Sequence, residues 1–199
     1  AKSELDLTCE TCPQYLWLDE GFLARPGGHR WICSPPLRGS REAFRALALE
    51  GAFDAFATDH CAFLRRDKDD WDGADIRTVA NGLPGLGALP HLAWRLFEQD
   101  PDRAARELAR HLALEPARIA GLANRKGAIR PGLDADLVLL DPHGTPRPVR
   151  SSLADAFEPY PGFTSPLEIR HVLLHGRPAV RNGELIAPGE PRGVCLCEA

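Results

Sequence analysis

The sequence predicts an α/β protein that passes into an all-β segment. Three observations predict it. Residues 52–57 form an apolar run that stops abruptly at Thr58-Asp59-His60, the pattern of a buried strand. Segments of helical spacing, with capping residues at their ends, lie on either side of that run. After Gly127 the period changes from helical to extended, so the composition shifts near Lys126.

In chain order, Leu5, Leu7 and Cys9 alternate with Asp6 and Thr8 and predict a strand, with residues 12–18 as a structured loop carrying Tyr15 and Trp17. Residues 21–29, rich in Gly and Pro, continue as loop. The short apolar run Trp31-Ile32-Cys33 is stopped by Ser34-Pro35-Pro36, whose prolines lock the turn's backbone and suit a loop that presents groups at fixed positions. Ser40 is a candidate N-cap for a helix reaching Glu50, with Phe44, Leu47 and Ala48 at helical spacing and Gly51 as its stop. Residues 53–57 are then the strand leading to Asp59.

Loop, helix and strand in this order make half of a βαβ unit. In parallel α/β proteins, ligand and metal groups sit just past the carboxyl ends of strands, which makes Asp59 the first candidate for chemistry. The other reading of Asp59 is a solvated turn residue capping the next element. Residues 65–75 are densely charged around Trp71 and predict a surface loop, solvated or covering a site.

Asn81-Gly82-Leu83-Pro84-Gly85 is a second rigid turn, followed by a helix through Leu89, Leu92, Ala93, Leu96 and Phe97. Asp100-Pro101 opens another helix with a cap and an N1 proline, carrying Ala105, Leu108 and Leu112 on one face, and Pro116 starts a short one. His91 and His111 fall within these helices and read as structural or surface residues. Beyond Gly127, strands are expected at 135–140, 169–174 and 177–181, with an Asn182-Gly183 hairpin turn into Glu184-Leu185. Residues 186–199 read as an extended tail.

Length and composition set outer bounds. At 199 residues the chain can bury one sizeable core or two small ones. A net charge of -4 without a Lys/Arg run argues against nucleic acid or an anionic membrane surface as partner. No apolar stretch approaches bilayer length and no signal-peptide pattern is seen, so a cytoplasmic location is expected. The six cysteines include Cys9-x-x-Cys12 and Cys195-x-Cys197, which on paper assemble into a four-thiolate zinc site; reduced, mostly buried thiols are the expected state. The chain lacks methionine and begins with Ala1, which suggests a missing initiator residue or the back part of something longer.

Taken together, Thr11-Cys12-Pro13-Gln14-Tyr15-Leu16, Ser34-Pro35-Pro36-Leu37-Arg38, Thr58-Asp59-His60-Cys61 and Asn81-Gly82-Leu83-Pro84-Gly85 follow one order at sensible separations. The series resembles the cyclic amidohydrolases, most closely the dihydropyrimidinase/hydantoinase branch. Pro116-Ala117-Arg118-Ile119, Lys126-Gly127-Ala128-Ile129 and residues 132–139 resemble the passage by which that superfamily leaves its barrel for a small β-sandwich. Gln14 and Ser34 favour hydantoinases over dihydroorotases and allantoinases; Gly87 departs from the acidic residue often found after the Pro-Gly turn.

The resemblance implies the C-terminal portion of a metal-dependent TIM-barrel amidohydrolase: residues 1–126 as barrel, 127–185 as β-sandwich strands and 186–199 as tail. It also implies a site of two divalent metals, usually zinc, that polarises a ring carbonyl and activates a bridging water. Asp59 matches the carboxylate that binds one metal and relays the proton to the leaving nitrogen. Ser34 and Asn81 match positions whose backbone groups hold the imide edge of a small cyclic amide substrate. His60 could assist electrostatically but is not expected to be a ligand.

The family's His-x-His pair and bridging lysine are not matched by any residue here, and only about two of eight barrel strands are found. Activity is therefore expected of a parent protein, a homo-oligomer in this family, with the isolated chain inactive and prone to associate. The alternatives are a truncated homologue acting as a binding or assembly partner, and a dihydroorotase- or allantoinase-type hydrolase.

Overall fold

The computed structural model describes residues 5–151, 155–186 and 196. Two strands, β1 (Glu10–Thr11) and β2 (Ala55–Phe56), lie parallel, with Glu10 beside Ala55 and Thr11 beside Phe56. Backbone bonds from Asp54 N to the Cys9 carbonyl (2.7 Å) and from Ala57 N to the Thr11 carbonyl (2.9 Å) extend the ladder at both ends. The strand expected from Leu5 begins later than predicted. Leu5 and Leu7 are exposed, because a strand persists only where a neighbour supplies hydrogen bonds, and β2 pairs back only as far as Cys9.

Between the strands run α1 (Pro13–Trp17) and α2 (Arg41–Leu49). The loop expected at 12–18 is therefore a helix. Pro13 occupies its first turn, where the missing N–H costs nothing, and Cys12 before it is extended. The α2 boundaries follow the prediction: the Ser40 hydroxyl accepts from Ala43 N, and Gly51 continues the chain at φ 80°. Only Ala48 of its apolar face is fully buried, while Phe44, Leu47 and Leu49 are exposed.

Past β2, residues 65–75 contain α3 (Arg65–Asp69), a helix inside the stretch expected to be loop. α4 (Leu89–Phe97) and α5 (Pro101–Ala109) follow, the second capped by the Asp100 carboxylate accepting from Arg103 N. A π-turn over Arg110–Leu114 carries the chain into α6 (Glu115–Ile119). The buried face of α5 is Ala104 and Leu108 rather than Ala105, since residues 104, 108 and 111 share one side of the helix.

One core joins Leu16, Trp17 and Leu18 to Phe56, Leu92, Trp94, Phe97, Ala104 and Leu108. His111 is buried in it as a structural residue. Its ring stacks on Phe56 at 4.2 Å between centroids, and Nδ1 lies 3.0 Å from the Asp54 carbonyl. Nε2 is 3.2 Å from a Glu107 carboxylate oxygen without hydrogen-bond geometry.

The later chain forms β3 (Leu137–Asp141), β4 (Arg147–Pro148), β5 (Thr164–Ser165), β6 (Glu168–Leu174), β7 (Arg177–Arg181) and β8 (Glu184–Leu185). Strands β3, β6, β7 and β8 make a four-stranded antiparallel sheet in the order β3-β6-β7-β8. Asn182 and Gly183 take φ 53° and 80°, the turn that an Asn-Gly hairpin requires. The β4–β5 pair was not expected. It brings Val149, Phe157, Tyr160 and Leu167 back into the α/β core. Residues 187–195 and 197–199, which hold Cys195, Cys197 and most of the expected tail, lie outside the described residues. Among the described residues, no helix is long and apolar enough to cross a membrane.

His91 and His111 are both held below the ordinary imidazole value chiefly by burial. The unfolded chain takes up protons near pH 6.5 that the folded chain refuses, so stability is intact above that pH and falls as pH drops below it. Thermal melts are expected to shift down between about pH 7.5 and about pH 5, and His111→Phe should flatten part of that slope. An identical slope in the variant would place the acid sensitivity elsewhere.

Candidate active site

The site is built where the two parallel strands end. Asp59 follows β2 by three residues and takes φ 46°, a left-handed conformation that a short polar side chain tolerates. It is exposed, and its Oδ2 lies 3.5 Å from Nε2 of Gln14, a fully buried residue of α1. Strand β1 thus supplies the neighbour of the group that β2 presents. Thiols lie close by as well. Burial, then the Asp59 charge, pushes Cys33 up to about 11 and Cys12 up to about 12.

The loop after Ile32 and the turn at Asn81 meet beside this point. The Asn81 Nδ2 donates to the Ser34 Oγ at 2.9 Å, and Gly82 N donates to the Ile32 carbonyl at 3.0 Å. Tyr15 ties the same loop to α1, its hydroxyl donating to the Pro35 carbonyl at 2.9 Å. Gly82 sits at φ 149° with Cys61 so near that a Cβ would come within 2.6 Å of its Sγ, so only glycine fits the turn.

His60 faces away from a ligand role at Nδ1. That nitrogen accepts from Gly85 N (3.2 Å) and Leu86 N (3.0 Å), which puts the ring proton on Nε2. Cys61 N donates to the Leu83 carbonyl at 3.0 Å. The Asp59-His60-Cys61 segment is therefore stitched to the 83–86 turn, and Asp59 has a fixed backbone.

Ser34 and Asn81 are in direct contact, and Asp59 is joined to them through Gln14-Tyr15 and Cys61. Two participants escaped sequence reasoning. In the sequence Tyr15 is an aromatic of a loop and one residue of the 11–16 motif, with no role of its own. Lys68 was hidden among like-looking charges, yet it is completely buried and reaches the carbonyls of Ile32 and Ala80. The missing signal is its pairing with carbonyls rather than carboxylates.

Among the described residues, no three of His, Cys, Asp and Glu come together in a group that could hold a metal ion. Asp59 offers one carboxylate, and the thiols nearest to it are held protonated. These residues do not by themselves fit a zinc pair. A separate cleft of about 690 Å³ alternates Arg65, Arg66 and Arg150 with Asp69, Asp155 and Glu158, and none of Ser34, Asp59 or Asn81 lines it.

The amidohydrolase family model matches residues 29–179, and the chain belongs to that family. The D-phenylhydantoinase of Escherichia coli O81 (strain ED1a) is 34% identical over 171 residues, covering 84% of this chain and 37% of that protein. The corresponding enzyme of Escherichia coli O1:K1 / APEC is 36% identical over 174 residues, with the same coverage. Crystal structures of a D-hydantoinase (27% identity, TM-score 0.80) and of the D-hydantoinase from a Bacillus sp. AR9 (26%, TM-score 0.82) each align with 93% of this chain and 42% of theirs. The chain thus spans little more than a third of the length of the curated relatives it matches.

The thiol environments give a direct check. Iodoacetamide at about pH 7.5 is expected to alkylate exposed Cys9 and Cys61 and to spare Cys12 and Cys33, read by peptide mass spectrometry. Rapid labelling of Cys12 or Cys33 would contradict their placement beneath Asp59.

Proposed function

We propose that these residues form one wall of the active site of a cyclic-amide hydrolase of the hydantoinase/dihydropyrimidinase type. The observation that carries the reading is the 34–36% identity to D-phenylhydantoinases, which extends over the Ser34, Asp59 and Asn81 segments. In this reading residues 1–126 belong to a TIM barrel and 127–185 to a β-sandwich. The same reading makes the protein a cytoplasmic homo-oligomer. The exposed apolar face of α2 is then surface that other parts of a longer protein, or another subunit, cover.

The chemistry assigned to this chain follows from its groups. Opening a ring amide needs water added at the carbonyl carbon, a proton taken from that water, and a proton given to the ring nitrogen as the C–N bond breaks. Asp59 is a carboxylate able to do both transfers in turn, at a position fixed by its stitched backbone. Ser34 and Asn81, held against each other, present a rigid edge of amide and carbonyl groups that discriminates a cyclic diamide at little entropic cost. The two divalent metals, usually zinc, that the resemblance implies would supply carbonyl polarisation and an acidified water. Among the described residues, Asp59 is the one carboxylate at the site, and no group able to hold a metal ion gathers around it.

A dihydroorotase- or allantoinase-type activity, or a purely non-catalytic assembly role, is not favoured by the two relatives named above, both D-phenylhydantoinases. Hydrolysis of hydantoin, 5-phenylhydantoin and dihydrouracil by the native polypeptide that carries these residues tests the reading. Asp59→Asn is expected to lower kcat by about 10²-fold to 10⁴-fold while leaving the melting temperature unchanged. Near-normal turnover in that variant would remove Asp59 from the mechanism.

A further inference from the structure

We propose that Lys68 is a positioning residue for this site: its buried ammonium draws together the Ser34 loop and the Asn81 turn and so sets the spacing of the substrate-recognising edge. The inference rests on the role given above to Ser34 and Asn81.

The stretch Arg65-Arg66-Asp67-Lys68-Asp69-Asp70 is uniformly charged, yet only Lys68 is buried, at 0% exposure. Its Nζ donates to the Ile32 carbonyl at 3.4 Å and to the Ala80 carbonyl. Ile32 stands two residues before Ser34, and Ala80 one residue before Asn81. The Ile32 carbonyl also accepts from Gly82 N, so its two lone pairs bind one donor from α3 and one from the Asn81 turn. Thus one ammonium and one carbonyl join three separate segments, around Ile32, Lys68 and Asn81.

The surroundings hold the lysine in place. The α3 backbone is anchored on the 28–31 turn, where the His29 Nε2 lies 2.9 Å from the Lys68 carbonyl and Arg30 pairs with Asp69. The ring faces of Phe63 and Phe157 lie 5.3 and 5.9 Å from Nζ, and Cys33 and Cys61 stand near it. Burial pulls the lysine down to about 8, so it remains largely charged at neutral pH. Filling this space needs only an apolar side chain. Burying an ammonium is costly, and what it adds is three donors pointing in different directions, which is what two carbonyls from separate loops require.

The test uses the native polypeptide. Lys68→Met keeps the side-chain length and removes the donors; KM for hydantoin is expected to rise tenfold or more, with kcat falling less than KM rises. Lys68→Gln, which retains N–H donors, should fall between the variant and wild type. KM within twofold of wild type in a folded Met variant, or a loss confined to kcat, would overturn the proposal.

Hydrogen exchange on the wild type decides the matter even if the Met variant fails to fold. The Gly82 amide should exchange as slowly as the amides of α3, as one cooperative unit. Exchange of Gly82 at the rate of the exposed 72–75 segment would contradict the tie. If the wild type hydrolyses none of the cyclic amides, the functional reading fails, and the exchange comparison still decides whether Lys68 couples the two loops.

Discussion

The parallel pairing of β1 with β2 is the constraint from which the site follows. Two residues on each strand set the register, and the backbone bonds flanking them bring the ends of the strands side by side. Gln14 enters from the end of β1 and Asp59 from the end of β2, so a contact between residues 45 apart in sequence follows from a short ladder. The core beneath the ladder, from Leu16 through Phe56 to Leu92 and Phe97, keeps that register from slipping.

Around this pair, loops do the positioning through backbone groups more than through side-chain charge. The His60 ring accepts two amides of the 85–86 turn, Cys61 N reaches Leu83, and Gly82 reaches Ile32. The one buried charge of α3 serves the same purpose, since Lys68 is spent on carbonyls rather than on an ion pair. A site assembled this way presents polar edges with little conformational freedom, as recognition of a small rigid ring demands. Membership of the amidohydrolase family and the likeness to D-hydantoinases fit this architecture, although the chain covers 37% of the relatives' length.

The sequence made visible those features that depend on local chemistry. Ser40 and Asp100 capped helices as their side chains dictate, Asn182-Gly183 made its hairpin, and the apolar run to Asp59 was a strand end. Features that depend on distant partners were hidden. Leu5 and Leu7 alternate like a strand but, among the described residues, have no neighbour there to pair with, and α1, five residues long, is too short to show a helical period against the loop reading of residues 12–18. The β4–β5 pair is two residues long on each side and contains Pro148, too little pattern to read. Ser34 and Asn81 could be singled out by motif, but their direct contact across 47 residues, and the buried lysine behind them, needed the fold.

The central claim is that the edge formed by Ser34 and Asn81, with Asp59 beside it, receives a cyclic amide. Its most direct test is a crystal structure of the native polypeptide with a hydrolysis-resistant cyclic imide. The account predicts the imide edge of the ring against Ser34 and Asn81, with the carbonyl to be attacked facing the Asp59 carboxylate. A ring bound away from these residues, for instance in the cleft that mixes Arg65, Arg66 and Arg150 with Asp69, Asp155 and Glu158, would contradict it.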